Sequence, residues 1–169
     1  MPYVMRGLHY EDFEPGKAFF SASRTVTEAD VVGFAGLSGD FNPLHTDQTF
    51  AEKTVIGERI AHGMLSMAVA TGLANQMGIF EGTTVALMTQ TIAYKGMVKF
   101  GDTIRIVMTV KERKETKNPS RGAVVFEVPI LNQRDETVVQ SEWTLMMTRK
   151  PRSSSAGPSS QTESDHAGG

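Results

Sequence analysis

Gly63-Met64-Leu65-Ser66-Met67-Ala68-Val69-Ala70-Thr71-Gly72-Leu73-Ala74-Asn75-Gln76-Met77 is small and apolar almost all the way round. A helix of that composition is buried rather than laid on a surface by one stripe. Four long segments follow it, residues 83–94, 103–113, 122–131 and 137–148, each carrying apolar side chains at every second position. Ile104, Ile106, Met108 and Val110 fall on one face, as do Val124, Phe126, Val128 and Ile130, and then Val139, Ser141, Trp143, Leu145 and Met147. Period-2 alternation of this length marks half-buried strands. One buried helix followed by a long meander predicts an α+β architecture in which a curved antiparallel sheet wraps around a central helix. Such a sheet leaves an open edge, so side-by-side pairing into a homodimer or a multiple of dimers is expected. Gly72 fits close approach of other backbone to the helix.

The punctuation of the chain supports this order. Residues 111–120 form a charged connection and 132–136 a tight polar turn, while Pro129 lacks a ladder donor and predicts an edge or a bulge. Upstream, residues 18–26 predict a first strand. Thr27-Glu28-Ala29-Asp30 then opens a helix, with Val31, Phe34 and Ala35 at helical spacing until Ser38-Gly39 stops it. Thr46 or Asp47 is placed to cap a short helix over 48–53, and 54–61 reads as loop. The domain is expected to occupy residues 1–150. Residues 151–169 are rich in Ser, Gly and Pro, with only Ala156 and Ala167 hydrophobic, which predicts a disordered tail in which His166 has no metal-ligating company.

Composition excludes several classes. The chain has 169 residues, 40% of them hydrophobic, enough for one sizeable core. The formal net charge is −2 and the basic residues are not clustered, so no nucleic-acid partner is expected. There are no cysteines, which removes disulfides, thiolate metal sites and a cysteine nucleophile together. No stretch reaches the apolar length that spans a bilayer, and the first residues lack a signal region, so a cytoplasmic protein is expected.

Chemistry concentrates in Phe34-Ala35-Gly36-Leu37-Ser38-Gly39-Asp40-Phe41-Asn42-Pro43-Leu44-His45. A carboxylate and an imidazole stand five residues apart around a turn stiffened by Asn42-Pro43. A rigid turn of this kind can aim Asp40 and His45 at one point, the geometry that acid/base work on a bound molecule requires. The alternative is a capping Asp and a satisfied, half-buried His.

The run from Phe34 to Ala51 resembles the hydratase signature of the MaoC-like family, which includes the (R)-specific enoyl-CoA hydratases. Phe34, Ser38, Gly39, Asp40, Asn42, Pro43, Leu44, His45 and Ala51 all fit it. Ile60-Ala61-His62-Gly63-Met64-Leu65 is similar to the start of the family's central helix, and Tyr94-Lys95-Gly96-Met97-Val98-Lys99-Phe100-Gly101-Asp102 to its strand-turn-strand connection. The resemblance spans residues 18–148 and implies a hotdog fold and a dimer. It also implies reversible, syn addition of water to a trans-2-enoyl thioester, yielding the (R)-3-hydroxyacyl product. In that reaction Asp40 and His45 hold the water, and the Gly63 N–H, at a helix N-terminus, receives the enolate oxygen. Asn42, His62 and Thr71 are candidate substrate-binding positions, His62 more as a supporting residue and Thr71 for its hydroxyl. The substrate would be an acyl-CoA thioester, with coenzyme A entering as part of it; no metal and no other cofactor is implied. Arg59, Lys95 and Lys99 are available for its phosphates.

Hotdog folds also hydrolyse acyl-CoA, so a thioesterase is the main rival, and the complete Asp-x-Asn-Pro-Leu-His motif favours hydration over it. A non-catalytic acyl-thioester binding module would be expected to have lost the Asp40/His45 pair, which is intact. Dehydration of acyl-carrier-protein, branched or dicarboxylic acyl-CoA substrates is not separated by the motif, because pocket shape reads the chain.

Overall fold

The computed structural model of the protein describes residues 2–151. Most of the expected tail, from residue 152 on, lies outside the described residues. The strand expected over 18–26 is two pieces, β1 (Ala18–Phe20) and β2 (Arg24–Thr25). Both pair with the same later strand, but Phe20 faces Val107 while Arg24 faces Ile104, so four residues on one side span three on the other. Ser21 is the cause: its Oγ accepts the Ile106 N–H at 2.9 Å, where a continuous ladder would offer a carbonyl.

Thr27 opens α1 (Glu28–Ser38) as its sequence requires. The Thr27 hydroxyl accepts the Asp30 N–H at 3.2 Å and the Asp30 carboxylate accepts the Thr27 N–H at 2.9 Å, closing a capping box. Gly39 ends the helix at φ 79°, a left-handed conformation that glycine reaches without steric cost, and its N–H returns to the Ala35 carbonyl at 2.9 Å. Two short helices follow, α2 (Pro43–Thr46) and α3 (Gln48–Ala51), then the central helix α4 (Gly63–Gln76).

The remaining strands are β3 (Thr84–Tyr94), β4 (Thr103–Glu115), β5 (Arg121–Glu127), β6 (Ile130–Leu131) and β7 (Thr137–Thr148). The main antiparallel order is β1-β4-β5-β7-β3, with β6 between β4 and β7. Pro129 therefore does not mark an edge. It interrupts an interior position, and β5 and β6 are the two halves of the strand expected over 122–131.

Leu65, Met67, Val69, Ala70 and Leu73 of α4 pack onto the sheet's alternating face, including Ile104, Ile106, Val139, Trp143 and Leu145. Phe13 and Phe80 each meet Phe126 edge-on, at centroid distances of 5.4 Å and 5.8 Å. Burying each such ring stabilises the fold by about 2 kcal/mol. The helix is not covered all round, as its composition led one to expect. Met64, Ala68, Thr71, Gly72 and Asn75 form an open stripe, and a Cβ built on Gly72 meets nothing within 4 Å. Apolarity reports what a face tolerates, not what one chain supplies to cover it.

Candidate active site

Asp40 follows directly on the left-handed Gly39, and this reversal turns the chain out of α1 toward the start of α4. Its N–H reaches Ser38 Oγ at 3.2 Å and its Oδ1 accepts the Asn42 N–H at 3.2 Å, a local turn closed by the side chain. Asn42 in turn caps α2, its Oδ1 accepting the Leu44 N–H at 3.0 Å, and Pro43 occupies the first helical position. The Asn-Pro pair thus starts a helix, and His45 is carried on that single turn.

His45 Nδ1 lies 2.8 Å from the Ile60 carbonyl. A carbonyl only accepts, so Nδ1 carries the hydrogen and Nε2 of the neutral ring is left with a free lone pair. His62, the residue before α4, is 2% exposed. Its Nε2 lies 2.9 Å from the Asp40 carbonyl, its ring lies 3.8 Å from that of His45 at 32°, and Phe34 stands 5.1 Å away on its tilted side. Residues 40, 45 and 62 come together because Ile60 bridges Lys99 and the Ala61 N–H bonds the Val98 carbonyl at 2.8 Å, anchoring the run into α4 against the sheet.

A cavity of about 370 Å³ is lined by Asp40, His45, His62, Gly63, Met64 and Tyr94, among others. α4 has no side-chain cap, so the amides of its first turn, that of Gly63 included, end at this cavity without a capping acceptor. Tyr94 had no site role in the sequence. It enters because the last residue of β3 crosses the start of α4, and its hydroxyl reaches Met64 Sδ at 3.4 Å. Nothing local at position 94 signals that crossing.

Asn42 and Thr71 do not line this cavity. Asn42 is engaged in capping. Thr71 lines a second opening, with Leu87, Trp143 and Leu145, and its hydroxyl donates to the Ala68 carbonyl at 2.7 Å. The expected hydroxyl donor toward a substrate is therefore already bonded within the helix. Arg59 is not free either: it pairs with Glu28 at 2.6 Å and lies 4.8 Å over the Phe100 ring. Lys99 pairs with Glu58, whereas Lys95 has no ion-pair partner among the described residues.

Asp40, His45 and His62 also place one oxygen and two nitrogens within 4.8 Å of one another, the outline of a divalent-cation donor set. Its geometry is poor. One nitrogen of each imidazole is already held by a backbone carbonyl, and lone pairs lie in ring planes that here nearly stack, so they do not converge on one ion. The arrangement suits a small neutral molecule, such as a water, held between a carboxylate and an imidazole nitrogen.

A helix enclosed by a curved antiparallel sheet, with this cavity at the helix's N-terminus, defines a hotdog protein. The double-hotdog protein Rv0216 of Mycobacterium tuberculosis shares the fold, with a TM-score of 0.76 at 17% identity over 86% of this chain and 46% of that one. The chain belongs to the MaoC-like family, whose domain model matches residues 12–128. It is 38% identical to the (R)-specific enoyl-CoA hydratase of Rhodospirillum rubrum over 141 residues, covering 83% of this chain and 92% of that protein. Among solved structures it is similar to the unliganded R-hydratase PhaJ1 of Pseudomonas aeruginosa, with a TM-score of 0.69 and 32% identity over 85% and 88% of the two chains.

Proposed function

We propose that the protein is a hydro-lyase that reversibly adds water to a trans-2-enoyl thioester. One observation carries this: the Asp40 carboxylate and a tautomer-fixed His45, whose Nε2 is free, line the same cavity at the open end of α4. A water donating one hydrogen to each group turns an oxygen lone pair toward Cβ. As the C–O bond forms, the water loses a proton to this pair and Cα gains one from it, so H and OH add across the double bond. Both groups face the substrate from one side, so the addition is syn, and the product is the (R)-3-hydroxyacyl thioester by analogy with the (R)-specific hydratases among the relatives. Negative charge passes to the thioester oxygen, where the Gly63 N–H and the first-turn dipole of α4 receive it; one such donor is worth about 3 kcal/mol. The (R)-specific hydratases among the relatives support the same chemistry. Coenzyme A is the proposed carrier, entering with the substrate, and Lys95 is the unpaired cation nearest in sequence to the cavity-lining Tyr94 and Gly96.

The working unit is a homodimer. β3 is an open edge whose Val85, Leu87, Met88 and Tyr94 are exposed; Leu87 shares an opening with Thr71 and Asn75 of the uncovered stripe of α4, and Tyr94 reaches Met64 of the same stripe. Asp40 is exposed in the single chain, whereas a polarised water works best where bulk solvent is excluded. No helix among the described residues is long and apolar enough to cross a membrane.

The test is a panel of enoyl-CoA thioesters followed by loss of the conjugated absorbance, coupled in parallel to an (S)-specific 3-hydroxyacyl-CoA dehydrogenase. Absorbance loss without NADH formation is expected. Rapid NADH formation overturns the stereochemistry, and release of free thiol in place of hydration would make the protein a thioesterase.

A further inference from the structure

We propose that His62 is a positioning residue that sets the Asp40–His45 geometry, holding one partner by a hydrogen bond and the other by ring stacking. The role rests on the hydration chemistry proposed above. Three features of its environment carry it.

First, His62 is almost completely buried, yet its Nδ1 has no hydrogen-bond partner. A buried polar atom left unpaired is costly, and a phenylalanine or leucine would fill the space beside Phe34 without that cost. What an apolar residue cannot supply is the other nitrogen. Because the acceptor is a carbonyl, Nε2 of His62 carries a hydrogen and donates it to Asp40 at 2.9 Å.

Second, among the described residues this hydrogen bond is the one that ties Asp40 to a distant part of the chain. The other hydrogen bonds of Asp40, to Ser38 and Asn42, lie within two residues of it and move with the turn. His62 is different: it immediately precedes α4, and its own carbonyl accepts the Ser66 N–H at 3.2 Å in the first turn of that helix. The bond from His62 to Asp40 therefore couples the turn to the central helix.

Third, the face of the same ring locates His45. The Ile60 carbonyl holds the His45 ring at Nδ1 only, on the edge of the ring. The His62 ring against its face, at 3.8 Å between centroids and 32° between planes, adds a second restraint on the plane in which Nε2 points. One buried imidazole thus fixes a backbone position and a ring plane, and a displacement of the order of 1 Å in either is worth about 100-fold in rate.

Two variants separate the contacts. His62→Phe keeps a ring against His45 and removes the donor to Asp40; His62→Gln keeps an amide donor and removes the stack. Each is compared with wild type in steady-state hydration, and each is labelled with 15N-histidine so that tautomers are read by NMR without substrate. The chain has four histidines, so assignment is tractable. Expected for His62→Phe is a kcat lower by roughly 10- to 100-fold with KM within about threefold, and partial recovery of kcat in His62→Gln. In His62→Gln, which loses the ring, the His45 15N signals should shift or broaden relative to wild type, whereas in His62→Phe, which keeps a ring against His45, they should stay close to their wild-type positions. Wild-type kcat in His62→Phe, or a rise in KM alone, overturns the proposal. So does a His45 signal that is unchanged in His62→Gln. If wild type hydrates no enoyl thioester, the function is wrong and the NMR comparison still decides the positioning role. If His62→Phe fails to fold, His62→Gln alone carries both readouts under the same criteria.

Discussion

The ring of Tyr94 rests against Gly63: a Cβ added at position 63 would stand 2.6 Å from Tyr94 Cε1 and 2.7 Å from Cζ. Glycine thus makes room for this ring, and on the proposed chemistry it would also make room for a substrate carbonyl at the amide. We predict that Gly63→Ala lowers kcat/KM by about 100-fold, and that adding Tyr94→Ala to it restores thermal stability but only a minor part of the rate. Kinetics and melting curves of both variants check this. Full recovery of turnover in the double variant would assign the requirement to the ring alone.

Asp40→Asn and His45→Gln should each leave a folded protein and cut hydration by about 10²- to 10⁴-fold, the usual weight of one acid/base group. Asp40 is exposed and His45 half-buried on a single helical turn, so neither change empties the core. Circular dichroism with initial rates measures both sides of the statement; near-normal turnover by either variant removes that residue from the chemistry.

The capping box of α1 gives a pH dependence with a definite sign. The Thr27 main-chain N–H holds the Asp30 carboxyl below its ordinary range; the Thr27 hydroxyl and the Arg24 guanidinium act in the same direction. A folded-state pKa below the unfolded value means the stabilisation is complete above the unfolded value, about 3.9, and fades as pH falls through the folded one. Asp30→Asn should therefore cost about 1 kcal/mol at pH 7, as loss of a cap does, and much less near pH 3. Urea denaturation at the two pH values tests it, and a gap that stays constant down to pH 3 contradicts it.

Light scattering at micromolar concentration should return a dimer or a multiple of dimers. Lysine at Leu87, on the exposed part of β3, should weaken it, because a charge there would be desolvated against the second copy. A stable, active wild-type monomer would contradict the proposal.

Much of the scaffold is legible in the residues, where local and global preferences agree. Thr27 with Asp30 marks the start of α1, Gly39 its end, and strict alternation delivers β7 residue for residue. The failures are equally specific. Ser21 breaks the first strand because its hydroxyl replaces a carbonyl acceptor, a substitution that no propensity for extended structure encodes. The single turn α2 is hidden in a segment whose Asn-Pro reads as a stop, although the same pair is also a helix start. Asp40 and His45 are picked out by the MaoC-like signature run they belong to, since their spacing alone fits a capping Asp and a satisfied His equally, whereas Tyr94 and the stacking of His62 on His45 depend on where β3 and α4 cross. That crossing is settled by packing far from either residue.

The break between local and long-range order has a kinetic side. Asp40 and His45 sit in a segment whose turns are closed by near neighbours, and it is moored to the rest chiefly by Ile60 and His62. The single tryptophan, Trp143, lies by contrast at 2% exposure in the middle of the sheet. Segments held by a few peripheral bonds open in sub-global fluctuations before the core does. Catalysis should thus fail at a lower urea concentration than Trp143 fluorescence, and amide exchange between residues 39 and 47 should run ahead of that in β7. The enzyme would lose its chemistry while its sheet is still closed, and regain it last on refolding.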